Sequence, residues 1–125
     1  MSKHALRILL LACALSPASA FAHAHLLKAE PSENSVLKKA PAEIVLSFSE
    51  PLEAAMSKVE VMDSGGNPVA TGPLTPDASD PRTIRASLEV AKATKATYKI
   101  KWKAVSKDAH KMLGGFEFTV DPNSK

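Results

Sequence analysis

Between Thr97 and Ala104 the chain alternates without a break: Tyr98, Ile100, Trp102 and Ala104 fill one set of positions, and Thr97, Lys99, Lys101 and Lys103 fill the other. A period of two puts the first set on one face of a β-strand and the second on the opposite face. A helix would scatter the same apolar residues around its axis. The lysines are then a solvated face, and Tyr98 and Trp102 are core residues. Shorter runs of the same kind recur between clusters of Pro, Gly and Asn. Ile44, Leu46 and Phe48 alternate with Val45, Ser47 and Ser49, so Glu43 to Ser49 reads as a strand that stops at Glu50-Pro51, where proline supplies no ladder donor. Val59 and Val61 mark another strand, and Asp63-Ser64-Gly65-Gly66-Asn67 turns it back into a hairpin with Pro68-Val69-Ala70. Thr83 to Val90 is a strand through Ile84, Ala86 and Leu88, and Phe116, Phe118 and Val120 form the last. Gly72 to Pro81, with three prolines and two aspartates, reads as a surface loop. Residues 91–96 and 52–56 have room only for helical turns. The pattern predicts an all-β sandwich or barrel.

The first 22 residues do not belong to this pattern. A basic start with Lys3 and Arg7 leads into the apolar stretch Ile8–Leu15 and then Ser16-Pro17-Ala18-Ser19-Ala20-Phe21-Ala22. This is the three-part organisation of a secretory signal peptide, with Ala20-x-Ala22 as the cleavage site. The apolar run falls short of the roughly 20 residues that span a bilayer. Leu10-Leu11-Ala12-Cys13 resembles a lipoprotein cleavage box, but only about five apolar residues precede Cys13, too few for that signal. The expected division is a cleaved segment over 1–22 and a single exported β domain over 23–125.

Cleavage changes the charge balance. The full chain has 16 basic and 13 acidic residues, and loss of Lys3 and Arg7 leaves 14 against 13. No dense basic block remains, which argues against nucleic acid as a partner. The only cysteine, Cys13, is also lost. The remaining domain therefore has no disulfide, thiolate metal ligand or cysteine nucleophile.

Cleavage after Ala22 also creates a new chemical group. The chain would begin His23-Ala24-His25, and an N-terminal histidine offers its α-amine and ring Nδ1 as a six-membered chelate suited to tetragonal Cu(II). Both groups titrate near neutrality, so few protons need to be displaced. The remaining histidine is His110, in Ser106-Lys107-Asp108-Ala109-His110, after the best strand and before Gly114-Gly115. In an extended chain Asp108 and His110 point the same way. Three histidines and a carboxylate form a sulfur-free N,O set that suits Cu(II), with zinc second. Two other readings stay open on spacing alone. The histidines are exposed products of cleavage and loop position, or His23-Ala24-His25 wraps a metal by itself through the amine, two amides and the His25 ring. Ser106, Asp108 and His110 lie too close together in the chain to form a hydrolase triad.

Several blocks together resemble the CopC family of periplasmic copper-resistance and copper-homeostasis proteins. They are His23-Ala24-His25-Leu26, the Ala29–Ser35 turn, Ala40-Pro41 before Ile44–Glu50, and Tyr98–Trp102 leading into Val105–Lys111 with Gly114. The resemblance implies a small Greek-key β-barrel or sandwich, immunoglobulin-like or cupredoxin-like, of about seven strands. It implies one Cu(II) per chain, held by a histidine brace at His23 with Asp108 and His110, and His25 as an auxiliary. It further implies a monomeric carrier or buffer rather than an enzyme, working with an inner-membrane copper transporter or another periplasmic copper protein. The alternative is a histidine-brace copper monooxygenase, for which 103 residues and few aromatics leave little polymer-binding face. Some relatives hold Cu(I) in a methionine-rich loop. Met56, Met62 and Met112 are separated here, which argues against a Cu(I) site.

Overall fold

The structure, a computed structural model, describes residues 25–90 and 94–125. The signal segment and His23 lie outside the described residues, as do residues 91–93 of the helical turn expected over 91–96. Among the described residues nine strands form two sheets: β1 (Leu26–Glu30), β2 (Val36–Leu37), β3 (Glu43–Phe48), β4 (Lys58–Met62), β5 (Pro68–Val69), β6 (Thr75–Asp77), β7 (Asp80–Ser87), β8 (Ala96–Val105) and β9 (Lys111–Val120). One sheet has the order β1-β3-β7-β6 and the other β2-β9-β8-β4-β5. The sheets do not close on each other, so of the two expected forms the sandwich is the one present. Six strands have five or more residues, and β2, β5 and β6 are short additions at sheet edges.

The inward residues are those the alternation selects. Ile44, Leu46, Phe48 and Ile84 from one layer meet Val61, Ile100, Ala104, Phe118 and Val120 from the other, all nearly sealed from solvent. On the outer side Lys99 and Lys101 are exposed, as expected of a solvated face. The hairpin predicted at Asp63–Asn67 is present, with Val61 opposite Val69. Asp63 Oδ1 there accepts the backbone N–H groups of Gly65 and Asn67, both at 2.9 Å.

Two parts differ from expectation. The Gly72–Pro81 segment is not all loop, because β6 pairs with β7 and β7 begins at Asp80. Pro76 is tolerated because β6 is the outermost strand of its sheet. Arg85 fastens this edge, bonding Asp77 at 3.2 Å and Glu43 at 2.9 Å. Second, the last strand starts earlier than Phe116, at Lys111, so that Gly114-Gly115 lies inside β9. Gly114 faces Trp102 across the β8–β9 ladder, and a Cβ at that position would collide with the indole. The missing side chain lets Trp102 lie flat enough to meet Phe48 edge-on, centroids 5.1 Å apart at 76°.

That aromatic contact ties the two sheets together one residue before β3 leaves its sheet. Gly114→Ala is therefore expected to displace Trp102 and destabilise the domain by about 1–3 kcal/mol. Urea unfolding followed by Trp102 fluorescence, with near-ultraviolet circular dichroism for loss of the fixed ring environment, measures it.

Candidate metal centre

Beyond Phe48 the chain crosses from the four-stranded sheet to the five-stranded one through Ser49–Glu53, and Leu52 anchors the crossing in the core at 3% exposure. Backbone bonds tie this segment to two other parts of the chain. At its start, Ser49 N–H donates to the His25 carbonyl at 2.9 Å, and His25 N–H donates to Ser49 Oγ at 2.7 Å. Further along, Lys107 N–H donates to the Pro51 carbonyl at 3.0 Å and Glu53 N–H to the Val105 carbonyl at 2.8 Å. Leu52 and Ser106 form a bridge between the two. Ser49 and Pro51 are two residues apart, a span of at most about 7 Å. The first described residue and the turn bearing Asp108 and His110 are thus fixed to nearly the same point at one end of the sandwich.

The turn itself is compact. Ser106 N–H donates to the His110 carbonyl at 3.0 Å, Ala109 N–H to the Ser106 carbonyl at 2.9 Å, and His110 N–H to Ser106 Oγ at 3.2 Å. Ala109 adopts φ +65°, in the left-handed region. The extended geometry expected for Asp108 and His110 is therefore corrected: they sit on a hairpin turn, because the β8–β9 ladder closes at Val105–Lys111 and forces the chain around in five residues. Both are exposed, as is His25. Ser106 is 1% exposed with its hydroxyl engaged by the turn, so it is a structural residue and not a nucleophile.

The crossing segment contributes a residue that the sequence reading passed over. Glu50 has one carboxylate oxygen, Oε2, that is buried and has no hydrogen-bond partner among the described residues. A carboxylate oxygen removed from water without a partner is costly, and a bound cation or a further donor would relieve it. A signal was available: Glu50 continues the inward series Ile44, Leu46, Phe48 by the same period of two. An acid in that series is out of place in a core, and the proline that follows it marks only where the strand stops.

Among the described residues, no three His, Cys, Asp or Glu side chains converge into a complete metal cage. His25, Glu50, Asp108 and His110 are donors on elements bonded to one segment, and His23 is outside the described residues. A depression of about 900 Å³ runs along β1 and the 37–43 segment and includes none of these donors. Met56 is exposed, and Met112 packs against the core, so these two thioethers are a surface residue and a filler.

The family model for the CopC domain matches residues 26–121. CutJ, a copper transport protein of Bacillus subtilis, is 34% identical over 113 residues, which are 90% of this chain but 21% of CutJ, so the chain spans about a fifth of that relative. Copper resistance protein C of Xanthomonas campestris pv. juglandis is 31% identical, with 90% of this chain and 91% of that protein covered. Among solved structures, CopC from Methylosinus trichosporium OB3b superposes with a TM-score of 0.71 at 30% identity, covering 82% of this chain and 98% of that one. PcoC, a methionine-rich copper resistance protein from Escherichia coli, gives 0.69 at 31%, covering 80% and 100%.

The turn geometry carries its own test. Ser106→Ala removes the acceptor for His110 N–H and is expected to cost about 0.5–1.5 kcal/mol. Urea unfolding measures the loss, and faster hydrogen exchange at the His110 amide locates it in the turn.

Proposed function

Because the chain belongs to the CopC family, we propose that it is an exported Cu(II) carrier or buffer in copper homeostasis and resistance, acting without catalysis. The metal is its cargo. In this reading cleavage after Ala22 frees the His23 amine, the amine and ring of His23 form the brace, and Asp108 and His110 complete a nitrogen-rich tetragonal set. His25 is an auxiliary donor, and Glu50 adds a carboxylate oxygen beside them. Such a set of nitrogens and hard oxygens without thiolate prefers Cu(II) over Cu(I).

The observation that carries the reading is the crossing segment Ser49–Glu53. It is bonded to His25 on one side and to the Val105–His110 turn on the other, and it carries the Glu50 oxygen that has no partner among the described residues. Donors fixed to a common segment lose little freedom when they close on an ion, so chelation is tight without a deep cavity. CutJ, in which a matching segment makes up a fifth of a longer copper transport protein, supports a membrane transporter or another exported copper protein as the recipient of the cargo.

The reading is tested on the exported protein, its first residue identified by mass spectrometry, with Cu(II) affinity and the electron paramagnetic resonance spectrum as readouts. One extra residue before His23, or His110→Ala, is expected to weaken Cu(II) by at least about 10-fold and to alter the spectrum. Glu50→Gln keeps the shape and removes the charge, and is expected to weaken binding by a smaller factor. An unchanged spectrum and affinity after both the extension and His110→Ala would overturn the brace.

A further inference from the structure

We propose that Ser49 is a positioning residue that decides how the chain start presents itself to metal ions. By holding the His25 amide it disfavours the wrapping of an ion by His23-Ala24-His25 alone, and so weakens Ni(II) binding several-fold while leaving the brace open to Cu(II). The inference rests on the chain beginning at His23, as proposed above.

A chain that begins His-Ala-His contains a second, local site. Its four nitrogens are the α-amine, the amides of Ala24 and His25, and Nδ1 of His25, and they close in one plane around a square-planar ion. Neither amide binds until its hydrogen has left to water, so the wrapped form releases two amide protons and no electron moves. Ala24 places no obstacle in the way, since it is not proline. On sequence alone both modes are available, and they differ in metal preference. The wrapped set suits Ni(II) as well as Cu(II), whereas the brace needs donors from a distant turn.

The structure separates them at one hydrogen. The His25 amide donates to Ser49 Oγ at 2.7 Å, at the short limit for an N–H···O bond. The His25 carbonyl accepts Ser49 N–H at 2.9 Å, so His25 and Ser49 exchange two bonds and extend the β1–β3 ladder one pair past Leu26 and Phe48. Ser49 is itself fixed, between Phe48 at 1% exposure and the Pro51 carbonyl that receives Lys107 N–H. The wrapped mode must break the bond to Ser49 Oγ and rotate the His25 backbone away from β3. The brace uses neither the amide nor the backbone of His25 and leaves the pair intact. Only the hydroxyl is specific to serine, because the Ser49 N–H bond to the carbonyl exists for any residue there except proline.

The test is a Ni(II) titration of the protein whose first residue mass spectrometry identifies as His23, followed by the yellow, diamagnetic spectrum of amide-bound square-planar Ni(II). Ser49→Ala is expected to bind Ni(II) in this form about 3- to 10-fold more tightly than the unaltered protein, the range that one net hydrogen bond supplies. Ser49→Thr keeps a hydroxyl and is expected to restore the original behaviour, and Ser49→Ala with His25→Ala to abolish the yellow form. Equal Ni(II) binding by the unaltered protein and Ser49→Ala would overturn the proposal. So would rapid hydrogen exchange at the His25 amide of the unaltered protein, a measurement that needs no variant to fold. The titration requires neither Asp108 nor His110, so its failure is distinct from an insensitivity of Cu(II) to His110→Ala, which overturns only the carrier site. An exported chain with a different first residue overturns both, and the mass spectrum alone reports it.

Discussion

Every residue of β8 from Ala96 to Val105 has a partner on β9, from Val120 back to Lys111. This ladder is the longest in the domain, and β8 also carries β4 on its other side, so the five-stranded layer is organised around it. Because the pairing runs to Val105–Lys111, the chain has five residues in which to reverse. The consequences are the left-handed Ala109, the buried Ser106 hydroxyl as an internal cap, and the display of Asp108 and His110 at the end of the sandwich. The same ladder places Gly114 opposite Trp102, and the room so made brings Trp102 against Phe48 of the other layer. One register therefore sets the position of the turn and the spacing between layers beneath it.

What the ladder cannot do is bring the chain start to the turn, since β1 belongs to the other sheet. That is done by Ser49–Glu53, which has to cross between layers at this end. A crossing segment has backbone groups with no strand alongside, and they must be satisfied. Here they are satisfied by His25 and by Val105 and Lys107. The need of these backbone groups for partners thus gathers the candidate donors, and the side chains of His25, Asp108 and His110 are free to face outward because the backbone does the holding.

Much of this was legible in the sequence, in proportion to how local its cause is. The alternation at Thr97–Ala104 and Ile44–Phe48 defined strands and inward faces because a period of two is set by each strand alone. The Asp63–Asn67 turn was legible because an aspartate and two glycines specify it locally. Thr75–Asp77 was not, because an edge position excuses its proline and the edge is a property of the sheet. The turn geometry of Asp108 and His110 was hidden for a related reason. Ala109 carries no mark of φ +65°, which is imposed by the ladder that it closes. The family resemblance carries Asp108 and His110 without that geometry, and the inward place of Glu50 is readable from its parity with Phe48.

A carrier differs from a resident metal site in needing to give its ion up. A cage buried on all sides would hold copper well and release it slowly, since a recipient could not approach before the donors let go. Here Asp108, His110 and His25 are all exposed, on backbone that is firmly bonded, while only Glu50 has an oxygen turned away from water. In the proposed site a recipient's ligand could therefore replace the outer donors one at a time while the inner carboxylate still balances the charge. The fold holds the backbone still and leaves these side chains accessible, and in the proposed carrier both tight capture and direct hand-over would rest on that division.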